Sequence, residues 1–261
     1  MGRMTADGAR PVSARVWNYW LGGKDHYEID RRAGDEVAQA VPGIVAAARA
    51  DRQFLGRCVR HLVGQGVRQF LDVGTGLPTA DNTHEIAQRV APASRIVYVD
   101  NDPLVLSHAR ALLTSTREGA TSYVDADVRD TGTILREAAR TLDLDRPVAL
   151  MLLAVVHLLT DAGEARDAVA RLVAALPSGS YLALSHACLD VEATRLAVRV
   201  WNDSGTPHPV RPRTHAEITD FFAGLDLVEP GVVSCTRWRP EPSRWGEPEE
   251  VMTFCGVARK P

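Results

Sequence analysis

The sequence predicts an α/β fold: a doubly wound, mostly parallel sheet of seven strands with an antiparallel last strand, helices on both faces, and a helical cap ahead of the first strand. Three observations predict it. Short β-rich runs alternate with helical stretches from Gly66 onward, a spacing that implies right-handed βαβ crossovers. Two of those runs, PVALMLLAVV and SYLALSH, are almost continuously apolar, as central parallel strands covered on both faces must be. From Ser13 to Gly66 the pattern is helical, with interruptions. At 261 residues with 45% hydrophobic side chains, the chain can bury one full core.

Residues 1–12 are polar with glycine and proline and read as a frayed N-terminus, 13–66 as a helical cap or lid, and 67–261 as the main domain forming one unit with it. In the cap, Val45 to Val63 places Phe54, Leu55, Cys58, Val59 and Leu62 at helical spacing. The arginines on its other face read as solvated, Arg52 excepted, since this helix is expected against the site. QFLDV, RIVYV, TSYVD, PVALMLLAVV and SYLALSH follow as strands. EIAQRVA, PLVLSHARALL, GTILREAARTL and EARDAVARLVAAL lie between them as helices. A helical insertion over about 191–203 leads into THAEITDFFAGL, opened by a Thr214 and Glu217 capping box. LDLVEPGVVS and EVMTFCGVARK supply the closing strands, separated by the irregular TRWRPEPSRWGEP, whose Trp238 and Trp245 read as covers over a hydrophobic edge.

The net charge of −3 argues against a dedicated nucleic-acid surface. Cys58, Cys188, Cys235 and Cys255 lack CxxC spacing, so buried thiols are expected rather than zinc or disulfides. The N-terminus has no apolar signal region, and Ala6 breaks a myristoylation pattern. No apolar run approaches the roughly 18 residues of a membrane span. A soluble, cytoplasmic protein with a small-molecule partner is the expectation; the sequence leaves its oligomeric state open.

FLDVGTGLPT runs a strand into a glycine turn, where Gly74 and Gly76 let the backbone approach a ligand closely. Asn82 with Glu85 marks the start of the next helix. Asp100 ends the second strand, 28 residues after Asp72. An acid there is placed to hold ribose hydroxyls, while Asp102 and Pro103 read as a helix start. The dinucleotide turn requires G-x-G-x-x-G, and position 79 is Thr79.

D-x-G-x-G at Asp72, Gly74 and Gly76 is similar to the first motif of class I methyltransferases, with Pro78 where their general pattern has a third glycine. VDADVRD, LLAVVHLL and LPSGSYLALSH resemble their later motifs in order. ARVWNYWLGGKDHYEIDR, FLDVGTGLPT with NTHEIAQ, YVDNDPLVL, RTHAEITDFFAGLDLVEPGVV and the Trp238-Arg239-Pro240 step extend the resemblance over nearly the whole chain. They resemble a bacterial, actinomycete-type S-adenosyl methyltransferase family with an N-terminal LGGKD segment, formerly a domain of unknown function. The resemblance implies a Rossmann-like class I fold and S-adenosylmethionine as cofactor, with S-adenosylhomocysteine as product. It implies that Asp127 contacts the adenine amino group. The expected cofactor-binding set is Asp72, Gly74, Thr75, Gly76, Asp100, Asn101, Asp127, Val128, Tyr19, Gly23, Lys24, Asp25 and Arg52.

Methyl transfer chiefly needs alignment and exclusion of water, with a general base only for a protonated acceptor. His157, just past the fourth strand, is a candidate base or substrate contact, with a packing role as the alternative. His186 holds the equivalent edge of the fifth strand, and Tyr27 and His186 join His157 as candidate substrate contacts. His84 reads as cap-adjacent, and His61 and His108 as helix-face residues. Asp125 and Asp127 lack a third ligand, so no metal is expected. Lys24 is one of two lysines in the chain. In a lid over Asn18 to Asp30 it is a candidate partner of the methionine carboxylate, and Lys24→Ala is expected to weaken binding without unfolding the chain. A pairing with Asp25 or Glu28 on the surface is the alternative. Three functions stay open: an S-adenosylmethionine-dependent methyltransferase acting at O, N or C of a small acceptor, a sensor of the same nucleoside, and a nicotinamide-dependent oxidoreductase.

Overall fold

A computed structural model describes residues 10–79, 81–112, 115–242, 244 and 246–261. The expectations placed on residues 1–9, on Trp245 and on the side chain of His108 lie outside the described residues. Three helices come first: α1 (Ser13–Trp20), α2 (Glu28–Ala40) and α3 (Ile44–Gly64). Alternation then sets in with β1 (Gln69–Val73), α4 (Thr83–Val90), β2 (Arg95–Asp100), α5 (Pro103–Leu112), β3 (Ala120–Asp125), α6 (Thr131–Ala138), β4 (Ala149–Leu153), α7 (Ala162–Ala174) and β5 (Tyr181–Ala187). The chain closes through α8 (Glu192–Asp203), α9 (His215–Thr219), β6 (Asp226–Leu227), β7 (Val233–Ser234) and β8 (Thr253–Arg259).

The strand order is β3-β2-β1-β4-β5-β8-β6, with β7 also paired to β8. β1 to β5 run parallel and β8 is antiparallel to β5. Among the described residues the sheet therefore has eight strands rather than seven, because the expected strand over LDLVEPGVVS is split. Pro230 has no N–H to give to a ladder, so two dipeptides pair separately with the two ends of β8. β4 also stops earlier than the apolar run suggests. Ala154 takes a left-handed φ of 50°, its N–H bound by the carbonyl and hydroxyl of Ser185, and a 3-10 turn follows at Val156–Leu158.

Period-2 alternation sends Leu71, Val97, Leu150 and Leu182 to one face of the sheet, against α6 and α7. Phe70, Ile96, Met151 and Ala183 go to the other, against α3 and α4. Trp238 is fully buried on that second face, edge-on to Phe54. Arg57 of α3 is not simply solvated, since its guanidinium donates to the carbonyls of Trp238 and Cys235. The four cysteines are free and buried.

A third cluster joins the helices ahead of β1 to α8, with Val16, Trp20, Val37, Trp201 and Met252 at its centre. α1 and α2 are further tied by an ion pair, Arg15 Nε to Asp30 Oδ2 at 3.0 Å, with side-chain exposures of 2% and 0%. Asp30 also accepts from the N–H groups of Val12 and Tyr27 at 2.9 Å each. None of the described helices is long and apolar enough to cross a membrane.

Candidate ligand cleft

The strand order turns back between β1 and β4, and open α/β sheets bind ligands outside the carboxyl ends of the strands at that point. A cleft of about 150 Å³ lies there. The loop after β1 hooks onto β2, with the N–H groups of Gly74 and Thr75 directed at the carbonyl of Val99 at 2.8 and 3.3 Å. Gly74 has φ 76° and no room for a Cβ, which would strike Val155 just past β4. This residue lets the ends of the two central strands close up.

Asp100, at the tip of β2, accepts from Gly76 N–H at 2.8 Å on one oxygen and from Asp102 N–H at 2.9 Å on the other. Each oxygen keeps lone-pair capacity for a further donor. Burial raises the Asp100 pKa against the effect of these N–H donors. Asp72 is buried on β1 and accepts from the Thr83 hydroxyl at 2.6 Å. Asp51 of α3 is buried beside the cleft. Burial pushes both Asp51 and Asp72 up to about 6, opposed by their hydrogen bonds and by the Arg52 guanidinium. Arg52 is shifted down by burial and held up by Asp72, Tyr98 and Asp51; its Nη2 donates to Asn82 Oδ1 at 3.1 Å. Glu85 accepts from Asn82 N–H at 2.7 Å, the reciprocal half of the capping box that starts α4.

The expected residues divide. Asp72, Gly74, Thr75, Gly76, Asp100, Asn101 and Arg52 line the cleft together. Asp127 and Val128 do not: Val128 packs in the core, and Asp127 is held by Arg129 at 3.0 Å while accepting from Asn101 Nδ2 at 3.0 Å. Asn101 thus bridges the β2 tip to the loop after β3.

Of the LGGKD turn, Leu21 lines the cleft, while Gly22 to Asp25 are not among its described lining residues. Tyr19 turns toward α2 and donates to Asp35 at 2.7 Å. Gly23 lies against Asn18, and a Cβ there would collide with the Asn18 amide. Asp25 is half-buried, with its N–H bound to Asn18 Oδ1 at 3.0 Å. Tyr27 is exposed, capping α2 beneath the Arg15 guanidinium. Lys24 is exposed on the turn and makes no hydrogen bond or ion pair with another described residue. α1 and its C-cap residue present Ala14, Trp17, Asn18 and Leu21 to the cleft, so the expected lid segment reaches the cleft through its first residues.

Those four positions follow i, i+3, i+4, i+7, a stripe readable in the sequence. Sequence reasoning placed Asn18 and Leu21 within the expected lid but did not single out Ala14 or Trp17, nor Asp51, Leu55 or His208, which also line the cleft. Asp51 does carry a signal: an acid on the apolar face of a helix, next to Arg52.

His157 and His186 lie beyond Val155, their rings edge-on at 5.6 Å. His186 Nδ1 meets the carbonyl of Ala187 at 2.9 Å and so carries the proton. Its Nε2 accepts from Arg213 at 2.8 Å. That pairing holds His186 as a packing residue, displaced well below its ordinary pKa by burial first and His157 second. His157 is pushed down to about 4 by burial and then by Arg213, so it is neutral at physiological pH. His84 binds Tyr98 through both its N–H and its ring and serves as helix-start packing.

The cleft fits a ligand that carries hydroxyls, cationic centres and a carboxylate. Asp100 suits hydroxyl donors, buried Asp51 and Asp72 suit a cation, and Arg52 suits an anion. S-adenosylmethionine has all three, with ribose hydroxyls, an ammonium beside a sulfonium, and a carboxylate.

Comparison with known proteins agrees. The family model described as S-adenosyl methyltransferase matches residues 2–261. A DUF574 family protein of Streptomyces avermitilis MA-4680 is 45% identical, with 98% of this chain and 99% of that chain covered and a TM-score of 0.93. A candidate methyltransferase of Thermobifida fusca YX is 39% identical, with 97% and 96% covered and a TM-score of 0.89. No curated protein matches.

Proposed function

Because the chain belongs to the S-adenosyl methyltransferase family, a family whose cofactor is S-adenosylmethionine, we propose that it transfers the cofactor's methyl group to a small-molecule acceptor. The observation that carries this reading is the charge pattern of the cleft at the switch point: buried Asp51 and Asp72 beside Arg52, with Asp100 at the β2 tip. Asp100 would hold the ribose hydroxyls, the two buried carboxylates the ammonium, and Arg52 the carboxylate. Gly74 lets the loop after β1 close against Val155 at the edge of the cleft. Bound S-adenosylmethionine supplies an electrophilic methyl on a sulfonium. The chain's own residues align the donor and exclude water, with Trp17 and Asn18 of α1 and Leu21 just past its end walling the cleft. A net charge of −3 supports a small molecule over a nucleic acid as acceptor.

Calorimetric titration with S-adenosylmethionine and S-adenosylhomocysteine tests the reading; absence of binding by both refutes it. A second reading, a sensor that binds the nucleoside without transfer, is favoured by His157, which burial makes a weak base and which is bound to no carboxylate partner among the described residues. Incubation with methyl-labelled donor and cell extract separates the two, since a labelled product excludes a pure sensor. The family match replaces the nicotinamide-dependent reading.

A further inference from the structure

A second cavity, of about 70 Å³, lies over the β4, β5 and β8 end of the sheet, beyond the nucleoside cleft. His157 follows β4, Ala187 ends β5 and Thr253 begins β8; α1 and α8 form the opposite walls. Ser13 and Trp17 line both cavities, so the two spaces share one wall.

Among the described residues the lining is apolar and aromatic, with Trp17, Trp20, Trp201 and Met252 prominent and no charged side chain. The indole N–H groups of Trp20 and Trp201 are already committed, to the carbonyls of Gly34 at 3.2 Å and His208 at 2.9 Å. Two polar atoms are not: His157 Nδ1 and Thr194 Oγ1 are fully buried and have no hydrogen-bond partner among the described residues. Their residues are 5% and 1% exposed. A buried polar atom left unpaired costs about 1–3 kcal/mol, and two on residues that line one cavity mark a place where a polar group belongs.

We infer that this cavity is the acceptor end of the site, seating the hydroxyl- or amine-bearing end of a neutral, largely apolar acceptor between His157 Nδ1 and Thr194 Oγ1. The inference rests on the methyl-transfer reading above and adds the acceptor's class to it. A hydroxyl both donates and accepts, so it satisfies both orphaned atoms at once. A carboxylate, phosphate or ammonium is disfavoured, because it would be buried without a counter-charge. The volume is about half of the ~150 Å³ at which an engineered apolar cavity takes up benzene. The cavity therefore takes a substituent, with the rest of the acceptor lying past Trp17 toward the cleft.

Saturation-transfer NMR on the full chain tests this, with phenol and butan-2-ol as probes and toluene as the hydroxyl-free control, each with and without S-adenosylhomocysteine. The alcohols should bind more tightly than toluene. Thr194→Val should weaken them about tenfold, the effect of about 1.4 kcal/mol for one buried hydrogen bond, and Thr194→Ser should restore them. Ala197→Ile, which adds apolar bulk to the lining, should abolish binding while leaving calorimetric S-adenosylhomocysteine affinity unchanged. If Thr194→Val loses its cooperative melting transition, Ala197→Ile decides. The inference is overturned by S-adenosylhomocysteine binding with no alcohol signal, by toluene binding equal to phenol, or by a crystal structure in the presence of phenol that holds only water against His157 and Thr194. If the wild-type chain fails to bind S-adenosylhomocysteine, the donor reading falls, and the probe titrations without it still decide the cavity.

Discussion

Lowering the pH should release the donor, and the cause lies in two buried carboxylates. Asp51 and Asp72 are both raised to about 6 in the ligand-free fold, against 3.8 for the free side chain. A raised carboxylate binds protons more tightly in the folded than in the unfolded chain. The contribution of these two acids to stability is therefore most favourable below about 3.8, declines as pH rises through the window to about 6, and carries the full penalty above it. That penalty is on the order of 3 kcal/mol per acid. A bound ammonium acts in the opposite sense by holding the carboxylates ionised. If it lowers one of them to about 4, affinity should weaken roughly tenfold per acid from pH 7 to pH 5, because the free site must first give up a proton. The ligand's own ammonium and carboxylate do not titrate in that range. Calorimetry with S-adenosylhomocysteine across pH 5–8, in two buffers of different ionisation heat, measures both the affinity and the protons released. Asp72→Asn and Asp51→Asn should each flatten the profile. Asp100, raised in the same direction, should account for the slope left in the double variant. A flat wild-type profile, or a double variant as steep as wild type, refutes the reasoning.

Three further outcomes follow from the packing. Asp30→Asn removes the buried carboxylate that pairs with Arg15 and accepts from Val12 and Tyr27 and should cost about 3–5 kcal/mol, read as a lowered urea midpoint. Gly23→Ala forces a Cβ into the Asn18 amide and should cost about 1–3 kcal/mol while weakening S-adenosylhomocysteine binding, since Asn18 lines the cleft; Lys24→Ala should change neither by more than about twofold, or about 0.4 kcal/mol. Gly74→Ala should abolish measurable binding because its Cβ meets Val155. Gly74→Ala with Val155→Ala should recover melting temperature only in part, since the left-handed φ of 76° still costs about 1–2 kcal/mol for alanine.

The β-strands and the glycine turn after β1 were legible because each has a local cause. QFLDV is β1 residue for residue, and the Asn82–Glu85 and Thr214–Glu217 capping boxes both form. Asp100 could be placed because a strand tip fixes where its carboxylate points. The LGGKD turn is harder to place, for the opposite reason. Its glycine pair and lone lysine form a conspicuous local pattern, but the turn's job is to connect α1 to α2 under Asn18. What reaches the cleft is decided by how α1 docks, a tertiary fact set by contacts with α2, α3 and α8. The Asp127 side chain shows the same limit: its position after β3 is readable, while its capture by Arg129 and Asn101 is not.

The position of α1 also argues that donor and acceptor binding are coupled. Ser13 and Trp17 line both cavities, and the Arg15–Asp30 pair clamps the helix to α2 from the side away from solvent. A helix of eight residues is too short to be stable by itself, so its order comes from that pair and from Val16 and Trp20 in the third core cluster. A ligand in either cavity adds contacts to the same short helix, and ordering already achieved by the first ligand need not be repeated for the second. Phenol should consequently bind more tightly with S-adenosylhomocysteine present than without it, and S-adenosylhomocysteine should gain by the same factor from phenol, because linkage is reciprocal. Asp30→Asn, by loosening the shared wall, should weaken both ligands and enlarge the coupling between them. Equal phenol affinities with and without the nucleoside would mean that α1 is a rigid partition, already ordered before either ligand arrives.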